Sequence, residues 1–149
     1  MTEVPDILGR LRLGVSTGTP AETVELARAL AAHIPHDQVL ALSGDLGAGK
    51  TTFVKGLAKA WGVEETVTSP TFNLYTIYRG SRQLVHLDAY RLGTSAELGA
   101  LMLEDFLHSP WCLAVEWPER IAEALPESTW RLELETSASD GRHRIRLKN

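Results

Sequence analysis

The sequence holds a single cysteine, Cys112, in 149 residues. One cysteine closes no internal disulfide, which excludes the small secreted scaffolds stapled by several bridges and points to a reducing compartment. No apolar run approaches the ~20 residues that span a bilayer. Residues Met1 to Arg10 carry acids early and no apolar stretch, so neither a membrane span nor a signal peptide is read, and the chain is expected in the cytoplasm. Repeats and low-complexity tracts are lacking. So is an excess of positive charge: the formal net charge is −4, which argues against a free-standing nucleic-acid binder. No cluster of His and Cys suggests zinc.

What is present is a globular composition, 44% hydrophobic and 23% charged. A chain of this size can bury roughly 68–70% of its unfolded surface. One domain over residues 1–149 is expected, with residues 1–10 as an N-terminal arm. The charge is uneven. Glu97 to Glu135 holds nine acids against two arginines, whereas Arg142 to Lys148 holds four bases and no acid. Such a division suits a protein that meets other proteins, and equally an ordinary solvated surface.

Leu11, Leu13 and Val15 alternate with polar residues and predict a short strand. Thr19-Pro20-Ala21-Glu22 then opens a helix as N-cap, first-turn proline and capping box. Its inward face is expected to hold Val24, Ala27, Ala31 and Ile34. Val39 to Leu42 is a continuous apolar run, the pattern of a parallel strand covered on both faces. A glycine-rich loop and a helix from about Lys50 to Trp61 follow, closed by Gly62. Phe72–Tyr78 and Leu84–Tyr90 predict a hairpin. Ser95–Leu107 predicts a helix with Leu98, Leu101, Met102 and Phe106 inward. Cys112 to Val115 is a second buried-strand pattern ending in Glu116, with a short helix after Pro118. Trp130–Glu135 and Arg142–Leu147 predict an antiparallel pair whose polar faces oppose acids to arginines.

The chemistry lies in Gly44-Asp45-Leu46-Gly47-Ala48-Gly49-Lys50-Thr51, which fits the phosphate-loop pattern G-x-x-x-x-G-K-[ST] without deviation. Glycines let the backbone wrap around phosphate with several N–H groups inward. The following helix presents its N-terminus, including Thr52, to the same anion. Lys50 adds a full charge that reaches the β- and γ-phosphates, and the Thr51 hydroxyl is placed to ligate Mg²⁺. Such a site also needs an acid for the metal and its waters. Glu116, ending the apolar run Cys112 to Val115, has the cleaner setting, and Asp88 ends the more amphipathic Leu84-Val85-His86-Leu87; both are candidates. Thr71, in Ser69-Pro70-Thr71, occupies the place of a switch segment that senses the γ-phosphate, or of a turn set by Pro70. His86 shares a strand face with Leu84 and Asp88, where a structural role is the simpler account. Trp117 either packs at the rim or stacks at the site. No Asn-Lys-x-Asp occurs, so the guanine-reading motif of Ras-like GTPases is missing. No arginine-rich lid follows a central helix, which weakens a small-molecule kinase.

Four blocks resemble the bacterial TsaE (YjeE) family in order and spacing. They are Gly44 to Phe53, Ser69-Pro70-Thr71-Phe72, His86-Leu87-Asp88-Ala89-Tyr90-Arg91-Leu92 and Glu116-Trp117-Pro118-Glu119. The resemblance runs over about residues 10 to 135. It implies the ATPase subunit of the machinery that makes threonylcarbamoyladenosine next to the anticodon of tRNA. It also implies binding to a TsaB–TsaD pair, which performs the transfer and which the ATP cycle resets, with tRNA met only through that complex. By motif, Gly47 to Thr52 hold the phosphates, Thr51 and Glu116 ligate Mg²⁺, Asp88 assists hydrolysis, Thr71 is the switch threonine and Trp117 is a functional site residue. The expected fold is α/β: a three-layer P-loop NTPase-like domain with a mixed, mainly parallel central sheet and C-terminal antiparallel strands. The expected activity is slow, partner-coupled ATP hydrolysis. The alternatives are a small P-loop kinase of a metabolite or nucleoside, and a nucleotide-dependent binding module.

Overall fold

Apolar strands and amphipathic helices alternate along the chain, and the computed structural model, which describes residues 6–45, 47–68, 74–91 and 103–149, assembles them into one mixed sheet. In chain order the elements are α1 (Ile7–Leu13), β1 (Val15–Thr17), α2 (Pro20–Ala31), β2 (Gln38–Ser43), α3 (Lys50–Ala60), β3 (Tyr75–Arg79), β4 (Gln83–Asp88), β5 (Trp111–Glu116), β6 (Trp130–Thr136) and β7 (His143–Leu147). Short 3-10 turns cover Ala89–Arg91, Leu103–Asp105 and Pro118–Ala124. The sheet order is β1-β7-β6-β2-β5-β4-β3. β6, β2, β5 and β4 run parallel, while β7 and β3 are antiparallel to their neighbours. This is the three-layer, mainly parallel α/β arrangement expected, with its antiparallel C-terminal pair.

The both-faced apolar run of β2 explains its central place. Leu40 and Leu42 turn to one face, against α2, α3 and the buried residues Leu132 and Ile145. Val39 turns to the other face, with Val85, Leu87, Val115 and Ile121. Helix α3 buries Phe53, Val54 and Leu57 completely, each worth about 1.5–3 kcal/mol relative to exposure. Among the described residues no helix is long and apolar enough to cross a membrane.

Helices α2 and α3 meet at Gly56. A Cβ there would lie 2.4 Å from Val24 O and 2.5 Å from Ala27 Cβ, so glycine is what allows the approach. In an exposed helix Gly→Ala gains about 1 kcal/mol. Here overpacking reverses the sign, and Gly56→Ala is expected to lose about 1–2 kcal/mol in denaturant unfolding. A raised midpoint would show that the contact yields without cost.

The opposite end of the sheet from the site is tied by Arg82, in the β3–β4 turn. Its buried guanidinium donates to the carbonyls of Ile34 (2.9 Å), Trp111 (2.7 Å) and Pro35, and it stacks on Trp61 at 4.6 Å. Nearby Cys112 is fully buried, and burial pushes its thiol up to about 12, which leaves it unreactive at neutral pH.

Three expectations need correction. The N-terminal arm is helical from Ile7, and Leu11 and Leu13 belong to α1 rather than to a strand. Asp6 caps that helix by accepting from Gly9 N at 2.8 Å, and Leu11 anchors it in the core. In α2 the buried stripe is Thr23, Leu26, Ala27, Leu30 and Ala31, and Val24 is only half-buried. Phe106, expected inward on a helix, is 41% exposed, beyond a 3-10 turn, with its ring 6.1 Å from that of Tyr75. Most of the predicted Ser95–Leu107 helix, including Leu98, Leu101 and Met102, lies outside the described residues. The predicted acid–arginine ladder is present in the β6–β7 register, where Glu133 faces Arg146 and Glu135 faces Arg144.

Candidate phosphate and metal site

The parallel strands end together, and the loops after them converge. Leu42 of β2 is in register with Glu116 of β5, and Glu116 with Asp88 of β4. The fold therefore gathers at one edge the loop after β2, the acid ending β5 and the acid ending β4. Ligands in open parallel sheets bind at such an edge.

The loop leads directly into α3. Gly49 is the N-cap residue, in the left-handed region at φ 96, and Gly47 has φ 82. A side chain at Gly49 would be strained there, which explains the glycine. No side chain caps α3. Its first-turn amides thus lack the usual partner and face outward with the positive end of the helix dipole, which is what an anion requires. Thr51 and Thr52 lie in this first turn, both half-buried. Gly44, Asp45, Gly47 and Ala48 form the loop, and Ala48 N donates to Asp45 O at 3.0 Å. Leu46 lies outside the described residues.

Lys50 starts α3 and is buried. Its ammonium donates to Gly44 O and sits 3.7 Å from the centre of the Trp117 ring. Burial lowers its pKa, opposed by the negative charges of Glu116, Glu119, Asp88 and Asp45. Trp117 follows β5 and has φ 56 and ψ 51, a left-handed conformation that is uncommon for a bulky residue and costs of order 1–3 kcal/mol. The indole lies between Lys50 and Tyr90, whose ring is 5.2 Å away, and Arg120 stacks on Tyr90 at 4.9 Å. Trp117 is therefore half-buried and packs directly against Lys50 and Tyr90.

Glu116, 5% exposed, receives the Thr51 hydroxyl on Oε2 at 3.2 Å and is hydrogen-bonded to His86 Nε2 through the same oxygen. Burial opposes its charge. The hydrogen bond and charge of His86, the charge of Lys50 and the Thr51 hydroxyl outweigh burial and hold the carboxyl below its ordinary range. Asp88 is half-buried and accepts from Tyr90 N at 3.0 Å, closing its own turn. The structure thus brings Lys50, Thr51, Glu116 and Trp117 into contact and sets Asp88 one strand away. Thr71 lies outside the described residues.

His86 lies on the face it shares with Leu84 and Asp88, as strand parity requires, and what the sequence does not report is its hydrogen bond to Glu116 across the sheet. Among the described residues no group of three or more His, Cys, Asp or Glu could cage a metal.

Comparison with known proteins agrees with this architecture. A sequence model described as "Threonylcarbamoyl adenosine biosynthesis protein TsaE" matches residues 17–145. The chain is 39% identical to the tRNA threonylcarbamoyladenosine biosynthesis protein TsaE of Bacillus subtilis, over 85% of this chain and 79% of that protein. The TsaE of Streptomyces coelicolor is 40% identical, over 82% of this chain and 84% of that protein. Among solved structures, the crystal structure of Bacillus subtilis YdiB superposes with a TM-score of 0.73 at 35% identity, covering 90% of this chain and 82% of that one. With its loop, acids and strand order in the pattern described above, the chain belongs to the TsaE family of threonylcarbamoyl adenosine biosynthesis proteins.

Proposed function

We propose that the chain binds ATP with Mg²⁺ at this edge and hydrolyses it slowly, as the ATPase subunit acting on a TsaB–TsaD pair in the cytoplasm. It meets tRNA only through that complex. The observation that carries this reading is the Thr51–Glu116 hydrogen bond beside Lys50, which joins a first-turn hydroxyl, a buried carboxylate and a buried cation at an uncapped helix N-terminus.

The residues fit the implied group. Amides from Gly47 to Thr52 hold phosphate oxygens, Lys50 neutralises the β- and γ-phosphates, and Thr51 with Glu116 holds the cation. When bound, Mg²⁺ supplies charge neutralisation on the transferring phosphoryl group. Catalysis of this kind is positioning plus electrostatic stabilisation. Asp88, just outside the Thr51–Glu116 pair, orients the attacking water. Thr71 serves as the sensor of the γ-phosphate. Trp117 holds the ammonium of Lys50 against its ring face, beside the loop carbonyl of Gly44.

Release of inorganic phosphate from ATP, measured with and without a TsaB–TsaD pair, tests the proposal. Slow release that rises when the pair is added is expected. Negligible release under both conditions would refute hydrolysis and leave a binding module, and phosphate appearing on an added nucleoside would favour a kinase.

A further inference from the structure

The proposed reaction gives His86 no task, yet its setting is specific. The imidazole is 0% exposed, an uncommon place for a polar ring. It lies on the α3 face of the sheet, in register with Ala114 of β5. His86 Nε2 is hydrogen-bonded to Glu116 Oε2, and toward a carboxylate oxygen the ring nitrogen is the donor. The other nitrogen, Nδ1, has no hydrogen-bond partner among the described residues. A buried imidazole with one described polar partner is held in place by packing and spends its donor on that partner. Thr51 also binds Oε2, but through a hydroxyl that can rotate on a half-buried side chain. The ring is the rigid half of the pair.

We propose that His86 is a positioning residue that fixes the rotamer of Glu116 through Oε2, so that Oε1 is the oxygen offered to the divalent cation. This rests on the reading of Glu116 as a metal ligand. Outer partners of this kind hold ligands in productive orientation, and their loss costs metal affinity rather than nucleotide recognition.

Two near-isosteric variants separate orientation from packing. In His86→Gln the amide nitrogen reaches the position of Nε2, whereas in His86→Asn it stops at the depth of Nδ1 and cannot reach the carboxylate. Mn²⁺ serves as the probe, titrated by electron paramagnetic resonance into the full chain with ATP. Nucleotide affinity is measured separately in EDTA. His86→Asn is expected to raise the half-saturating Mn²⁺ concentration by about tenfold or more, with affinity in EDTA unchanged, while His86→Gln stays near the wild type. Equal Mn²⁺ affinity in both variants overturns the proposal. So does a parallel loss of metal and EDTA affinity, or of the thermal transition, in both, because that marks a structural histidine. If the wild type itself shows no Mn²⁺-dependent nucleotide binding, the metal reading of Glu116 falls, and this inference falls with it.

Discussion

Lys50→Met is expected to lower ATP turnover by about 10²–10³-fold or more, the loss typical of removing one preorganised charge or donor aimed at a transition state. Methionine keeps most of the aliphatic stem and suits a helix. Its thioether can still lie against the Trp117 ring, whose centre is 3.7 Å from the ammonium. The fold does not depend on the charge. Burial lowers the pKa of Lys50, so the folded state disfavours the charged form, and deleting the charge removes that penalty. The lost hydrogen bond to Gly44 O offsets part of the gain. A thermal midpoint equal to or above that of the wild type, together with collapsed phosphate release, is the expected pair of results. Wild-type turnover in Lys50→Met would be fatal to the phosphate-loop assignment, and a large fall in midpoint would assign the lysine to the fold instead.

Much of the fold could be read before the structure because several local rules agreed at the same positions. At the start of α2 the N-cap half of the capping box is realised, with Thr19 accepting from Glu22 N at 3.1 Å, while the Glu22 carboxylate accepts from Gly18 N at 3.1 Å, one residue before the cap. The run Val39–Leu42 suits a strand covered on both faces, and β2 has parallel neighbours on both sides. Errors arose where two periods shared the same residues. Leu11, Leu13 and Val15 alternate, but Ile7, Leu8 and Leu11 also fit one helical face, and Asp6 as N-cap decides for the helix. Phe106 failed for another reason: a helix face was assumed where the chain makes a 3-10 turn.

The site was legible as a set of types, and less so as a set of contacts. Pattern leaves both Glu116 and Asp88 open, the first after a continuous apolar run and the second after a more amphipathic strand. Their difference is tertiary. Glu116 sits on the strand next to β2 and meets Thr51, while Asp88 is one strand further and bonds within its own turn. His86 was obscured because a strand histidine has many structural uses, and only the register of β4 against β5 brings it to Glu116. Trp117 needed its left-handed backbone, which no composition rule reports.

That tertiary difference carries the second large prediction. Glu116→Gln keeps the shape of the side chain and an oxygen for Thr51 and His86 to bind, but removes the charge. Metal-free nucleotide affinity should hold or improve, because a carboxylate beside phosphate repels it. The enhancement of nucleotide affinity by Mg²⁺ should disappear, and turnover at saturating Mg²⁺ should fall by about 10²-fold or more, since the metal's charge must be held where the phosphoryl charge develops. Asp88→Asn should behave differently: the Mg²⁺ enhancement persists and turnover falls, because Asp88 acts on the water and not on the cation. Calorimetric titration of ATP with and without Mg²⁺, run beside phosphate release, reads both quantities on each variant. Loss of the Mg²⁺ enhancement in Asp88→Asn with its survival in Glu116→Gln would reverse the two roles. Loss in neither would show that Thr51 and the phosphates hold the metal without a carboxylate. The expected asymmetry follows from strand order, because Glu116 ends β5 beside β2 and bonds Thr51 in the first turn of α3, whereas Asp88 ends β4, one strand further out.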